Sequence, residues 1–284
     1  MKKTQTSTTA QGMAVIRVHE SKKPSGERIC YDPFAHKFVG LGYYLLESVF
    51  NAYAEWRSPG LIGFVVSRTR YIDNYLEMCL KSATAQVVIL GAGLDSRAYR
   101  FDIFKGPVKV FEVDQPATQA AKIARVKKIF HEVPKYVTYV PIDFNEETLD
   151  KLLESGYNRS LKTLFIWEGV IPYLKSEAVD ATLALVQSNS APGSSIIFDF
   201  IHASALWGKH RREEVKLSQW THRFTGEGII FAIENDQVDD FMTQRGFVSV
   251  VSAGAEDFNQ LYFTGLNENR PLADIYSIVH ATVP

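Results

Sequence analysis

Residues 86–100 read Gln-Val-Val-Ile-Leu-Gly-Ala-Gly-Leu-Asp-Ser-Arg-Ala-Tyr-Arg, and no other stretch constrains the fold as much. An apolar run of strand length breaks at Gly91-Ala92-Gly93, and a polar stretch that opens a helix follows. A strand that ends in glycines and feeds a helix is how a parallel α/β sheet presents a nucleotide-like ligand. The dinucleotide fingerprint G-x-G-x-x-G needs a third glycine at position 96, where this chain has Ser96. That glycine lets the helix pack close beneath a pyrophosphate. Its absence favours an adenosine-bearing ligand without a pyrophosphate, such as S-adenosylmethionine, over NAD.

The chain around this unit has 284 residues, 46% hydrophobic and 22% charged, enough to bury a large core in one domain or one domain with a cap. A net charge of −1 gives no electrostatic footprint for nucleic acid or for an anionic membrane. No apolar run is long enough to span a bilayer. Residues 1–11 are polar and rich in threonine, without the apolar stretch of a signal peptide, and are expected to be a disordered tail. The two cysteines, Cys30 and Cys79, stand apart, so a disulfide framework is not expected and a reducing cytoplasm fits.

Hydrophobic periodicity divides the rest. Residues 12–80 are mainly helical, with one segment over Tyr44–Ala54, a break at Pro59-Gly60 and a second over Leu61–Leu80. Strands are expected at Val87–Leu90, Val108–Val113, Tyr136–Pro141, Thr163–Trp167 and Ser194–Ile201. Helices over Ala117–Phe130, Glu147–Glu154 and Ser176–Ser188 separate them. Residues 86–202 thus form a cofactor-binding core. Residues 203–233, with Lys209-His-Arg-Arg212 and a Thr-Gly-Glu-Gly turn, break the alternation and suggest a cap inserted over the site. Residues 234–284 supply a helix over Asn235–Arg245 and two closing strands, Phe247–Ser252 and Ile275–Val283. The pattern is a doubly wound, mostly parallel, seven-stranded α/β sheet, which binds ligands at the carboxyl ends of its strands.

Carboxylates gather at that edge. Glu112 and Asp114 close the second strand, 21 and 23 residues beyond Gly91. An acid about 20 residues past the glycine loop is placed for ribose hydroxyls. Asp143 ends the third strand and is followed by Phe144, a carboxylate and a ring suited to an adenine amino group and face. Glu168 ends the fourth. One such acid alone is more often solvated or a helix cap; acids ending three successive strands make a site.

Leu90-Gly-Ala-Gly-Leu-Asp-Ser-Arg97, Phe111-Glu-Val-Asp-Gln-Pro116, Asp143-Phe144 and Trp167-Glu-Gly-Val-Ile-Pro-Tyr173 together resemble the motifs of the leucine carboxyl methyltransferase family. The resemblance is closer to its bacterial and archaeal branch of S-adenosylmethionine-dependent O-methyltransferases. Tyr31-Asp-Pro-Phe34 and Ser67-Arg-Thr-Arg-Tyr-Ile-Asp73 agree, so the match runs from about residue 13 to 202. It implies a class I methyltransferase-like Rossmann fold and S-adenosylmethionine as cofactor. It implies that Gly91 and Gly93 allow close approach of the methionine end and that Arg68 grips the cofactor carboxylate. Asp114 takes the ribose, with Glu112 a second ligand; Asp143 and Phe144 frame the adenine; Glu168 lies near the amino-acid end. Arg70 rivals Arg68 on the same helix, and Asp95 and Arg97 are expected to hold the loop's shape.

The acceptor is less constrained. A carboxylate acceptor is ionised at neutral pH and needs no base, whereas a phenol or alcohol needs one, most naturally a histidine such as His202, His210 or His222. Tyr173 could orient an acceptor oxygen. Tyr43, Tyr44, Phe50, Tyr53 and Trp56 form an aromatic stripe that at helical spacing is expected in the core, or lining an apolar pocket. The expected acceptor is a carboxylate or hydroxyl of a small metabolite, with no metal, nucleic acid or membrane partner. The alternatives are a protein C-terminus, a non-catalytic cofactor-binding module and an NAD-dependent oxidoreductase; Ser96 and the strand-end acids argue against the last.

Overall fold

The computed structural model describes residues 8–207 and 228–284. Seven strands form one sheet in the order β3-β2-β1-β4-β5-β7-β6. They are β1 (Gln86–Leu90), β2 (Lys109–Asp114), β3 (Val137–Pro141), β4 (Thr163–Trp167), β5 (Ser195–Ile201), β6 (Val248–Ala253) and β7 (Tyr276–Thr282). The first five are parallel to one another, and β7 pairs antiparallel with both β5 and β6. The order reverses between β1 and β4, and a crevice opens at such a switch point beyond the carboxyl ends of the strands.

The central strands are apolar on both faces because helices cover both. One core packs Val87, Ile89, Val110, Leu164 and Ile166 against the N-terminal helices; the other packs Val88, Leu90, Phe111, Val113, Phe165 and Trp167 on the opposite side. Alternate residues of each strand feed alternate cores.

The helices that bear on the site are α1 (Thr8–Ser21), α2 (Ala35–Phe38), α3 (Leu41–Leu45), α4 (Glu47–Arg57), α5 (Leu61–Lys81), α6 (Arg97–Arg100) and α7 (Pro116–Phe130). Pro116 occupies the first turn of α7, where its missing N–H costs nothing. Helix α1 begins at Thr8, inside the stretch expected to be a tail, and its Gln11 is already buried. Ala14, Val15, Ile16 and Val18 bury its inner face.

Two further differences from the sequence reading concern helices. The segment expected over Tyr44–Ala54 is two helices that meet at Leu46, and its aromatic stripe is mostly neither core nor cavity wall. Tyr53 and Trp56 are 57% and 75% exposed, whereas Tyr44 and Phe50 pack partly against the core. A helix over Ala255–Tyr262 was not anticipated; it buries only Phe258, and the Asp257 carboxylate accepts from Gly254 N–H at 2.8 Å to cap its start. Within 203–233, Ala203–Trp207 is helical, while residues 208–227, with His210, His222 and the basic cluster, lie outside the described residues. No helix among the described residues is long and apolar enough to cross a membrane.

Candidate active site

A cavity of about 480 Å³ opens at the switch point, within the range of roughly 300–1,000 Å³ usual for small-molecule sites. Arg68, Gly91, Gly93, Asp114, Asp143, Phe144, Glu168 and Tyr173 all line it. Arg70, the rival of Arg68, is exposed and does not.

The turn after β1 is fixed from several sides. Gly91 N–H and Ala92 N–H both donate to the Val113 carbonyl, at 2.7 and 3.0 Å. Gly91 has φ +68°, and a Cβ there would come within 2.2 Å of Val170 Cγ2, so only glycine fits. Gly93 N–H donates to Asp114 Oδ2 at 2.6 Å, and Gln115 N–H to Asp114 Oδ1 at 2.7 Å. Burial pushes the Asp114 carboxyl up to about 6, against these two donors. Each carboxylate oxygen keeps a second lone pair for a ligand hydroxyl.

Ser96, which stands where a dinucleotide site has glycine, is an anchor. Its hydroxyl donates to Asp32 Oδ1 at 2.6 Å, Arg17 Nε donates to Asp32 Oδ2 at 3.0 Å, and Arg17 Nη2 donates to the Leu94 carbonyl at 2.8 Å. The Tyr31-Asp-Pro-Phe segment thus ties the far end of the glycine loop to α1.

A lattice of ion pairs backs the side of the cavity that carries Arg68 and Glu168. Arg68 Nε donates to Glu168 Oε1 at 3.1 Å and its Nη1 to Asp199 Oδ2 at 2.6 Å. Asp199 Oδ1 accepts from Gly169 N–H at 2.6 Å. Arg97 reaches Asp73, Asp95 and Glu168 at 2.7, 2.6 and 2.6 Å, and Arg100 takes the other side of Asp73. Burial alone would raise the Glu168 and Asp95 carboxyls, but Arg97, with Arg68 at Glu168, outweighs it and holds both below the usual range. Asp95 and Arg97 therefore shape the loop, as expected, although Asp95 also faces the cavity.

Glu112 is corrected. The family resemblance implies a second ribose ligand there, but the Glu112 side chain does not line the cavity. It is fully buried behind the loop, with Lys122 Nζ of α7 2.8 Å from its Oε2. Burial raises its carboxyl to about 7, against the pull of Lys122. Its strand face is the one that carries Asp114, but it lies two residues deeper in the sheet. His202 is likewise outside the cavity: its Nε2 lies 2.9 Å from Ser277 Oγ, and burial lowers its pKa.

Sequence reading missed Arg17, which lines the cavity, and Asp199, which links Arg68 to Gly169. An acid inside the seven-residue buried strand β5 was a usable signal for Asp199, since a buried charge needs partners. Arg17 carried none beyond its place on an amphipathic helix.

A family model described as leucine carboxyl methyltransferase matches residues 10–187. The chain belongs to that family. It is 28% identical to "Putative S-adenosyl-L-methionine-dependent methyltransferase YktD" of Bacillus subtilis, over 76% of this chain and 71% of that protein. It is 34% identical to a protein of Mycolicibacterium gilvum with the same description, over 68% and 65%. The fold matches the crystal structure of a "putative methyltransferase" of Thermobifida fusca, with a TM-score of 0.59 and 14% identity, over 98% of this chain and 95% of that one. This leucine carboxyl methyltransferase family member is an S-adenosylmethionine-dependent methyltransferase.

The residues present fit that cofactor. The ion lattice sets five carboxylates (Asp32, Asp73, Asp95, Glu168, Asp199) against four guanidiniums (Arg17, Arg68, Arg97, Arg100). With all of them ionised it carries one excess negative charge. S-adenosylmethionine, with a sulfonium, an ammonium and one carboxylate, brings one net positive charge. Arg68 Nη2 makes no hydrogen bond to the described residues, so one fork of the guanidinium can still take a ligand carboxylate.

Proposed function

We propose that the chain methylates a carboxylate oxygen of a small acceptor with an apolar body. S-adenosylmethionine supplies a methyl group already activated on sulfur. Arg68 takes its carboxylate and Glu168 faces its ammonium. The backbone at Gly91 and Gly93 allows close approach, Asp114 accepts from the ribose hydroxyls, and Asp143 and Phe144 frame the adenine. What the protein adds is then mainly alignment of donor and acceptor, which can account for much of the acceleration in a displacement of this kind.

One observation carries the choice of acceptor. Among the described residues that line the cavity there is no histidine, and Asp95, Asp114 and Glu168 are engaged by arginines or backbone N–H groups. Asp143, the fourth acid, sits at the adenine end. A carboxylate acceptor arrives ionised and needs no base, whereas a phenol or alcohol would need one. Ala10, Met13, Val170, Leu174 and Ile230 give the remaining wall an apolar face, with Tyr173 and the exposed Lys175 at its rim to orient an anionic oxygen. Ile230 and Phe231 N–H groups both donate to the Pro172 carbonyl, at 2.8 and 3.1 Å, which fixes that wall against the loop bearing Tyr173. The description of the family, a carboxyl methyltransferase, supports the same chemistry.

The test is a labelled-methyl transfer screen over carboxylic acids, phenols, alcohols and peptides with free C-termini. Base-labile label on small apolar carboxylic acids is expected. Label on phenols alone, or on peptides alone, overturns the reading.

A further inference from the structure

Lys122 is a charged residue that the reaction does not use and the solvent does not reach. It is 1% exposed, on the inner face of α7, and makes two polar contacts. Its Nζ lies 2.8 Å from Glu112 Oε2 and donates to the Ala92 carbonyl at 3.2 Å. The second contact matters because of what shares its peptide plane. The carbonyl of Ala92 and the N–H of Gly93 belong to one planar group. The N–H end donates to Asp114 Oδ2 at 2.6 Å, and Asp114 faces the cavity.

We propose that Lys122 is a positioning residue for cofactor binding, acting through the Ala92–Gly93 peptide to hold Asp114 and the glycine loop in the binding geometry. The argument rests on the ribose role given to Asp114 above. The peptide is gripped at both ends, by an ammonium behind the loop and a carboxylate in front of it. Asp95 N–H also donates to the Ala92 carbonyl, at 2.8 Å, so the turn itself closes without Lys122. What Lys122 adds is resistance to rotation of that peptide, on which the direction of the Gly93 N–H depends. Glu112 faces the ammonium in a place that water does not reach, and Tyr99, whose hydroxyl lies 2.8 Å from that of Tyr139, packs over it with the Lys122 Nζ 5.6 Å from its ring centre.

A merely structural ion pair and a positioning lysine differ in a double variant. Lys122→Met leaves Glu112 buried without its cation and is expected to lower the melting temperature. Lys122→Met combined with Glu112→Met removes both charges, so the melting temperature recovers. Affinity for S-adenosylhomocysteine, measured by calorimetry, stays at least tenfold weaker than in the parent because the Ala92 carbonyl has lost its second donor. Recovery of affinity to within twofold of the parent, or failure of the double variant to fold, overturns the proposal. Asp114→Asn in the same assay separates the two readings. Parental affinity there removes the ribose role of Asp114, whereas parental affinity in the double variant removes the positioning role of Lys122.

Discussion

The glycine loop has buried charge on both sides, organised in opposite ways. In front, Arg97 alone spans three carboxylates, and Arg68 and Arg97 share Glu168. Behind, one ammonium meets one carboxylate. A planar guanidinium with five donors can bridge several acids, while an ammonium is a point charge with one short reach. Asp95 and Glu168 are held below their usual range, but Glu112, with a single charged partner, is raised to about 7. Glu112, facing one ammonium, therefore responds to protons in the opposite sense from Asp95 and Glu168, which guanidiniums bracket.

The largest effect expected is at the centre of the front lattice. Arg97→Met strips the cation from Asp73, Asp95 and Glu168 together and should cost at least the roughly 3–5 kcal/mol of a broken buried pair. Denaturant unfolding measures it; a loss under about 1 kcal/mol would mean the lattice redistributes charge freely.

The two sides should also separate by pH. A front acid with a lowered pKa adds stability above its unfolded value and loses it as pH falls through the folded value. Glu112 does the reverse. Its folded value of about 7 lies above the ordinary 4.5, so stability falls as pH rises between them and is level above. Asp114, at about 6, adds a smaller fall over the lower part of that window. Glu112→Gln should shrink the stability difference between pH 5 and pH 8 by on the order of 1–3 kcal/mol. If unfolding midpoints of the variant keep the parent's full pH dependence, Glu112 is ionised throughout and the contrast between the two sides fails.

Gly91→Ala disturbs the loop while touching neither cluster. The added methyl meets Val170 Cγ2 at 2.2 Å and demands a φ of +68°, so a cost of about 1–3 kcal/mol is expected, with S-adenosylhomocysteine affinity reduced about tenfold. Adding Val170→Ala should recover part of the loss, and a lack of any recovery would assign the effect to backbone strain alone. Tyr173→Phe is expected to do least: cofactor affinity within threefold of the parent by calorimetry, since the residue is proposed for the acceptor rim.

The strands and most of the cavity wall were legible because burial on both faces leaves an unmistakable apolar run and because cavity-facing acids fall where such runs stop. Depth was not legible. Glu112 and Asp114 share a strand face and a similar distance from Gly91, and only the packing of α7 shows that one is sealed in and the other open. Lys122 was hidden for a related reason: among Arg125, Lys127 and Lys128 it looks like one more solvated base. The helix over Ala255–Tyr262 escaped notice because a single buried phenylalanine is no periodic signal. The aromatic stripe misled in the other direction, since helical spacing predicts burial and Trp56 stands in solvent.

The contact between Gly91 and Val170 bears on how such an enzyme changes its acceptor. There is no slack between the turn at Gly91 and the loop at Val170. On the proposed function, a bulkier side chain at Val170 would press on the cofactor's side of the cavity, so that position could not be traded to admit a new substrate without cost to cofactor binding. The walls supplied by α1, at Ala10 and Met13, and by the strip around Ile230 meet the cavity from outside the sheet. Divergence in substrate choice should therefore accumulate in those two segments while the turn and Val170 stay paired.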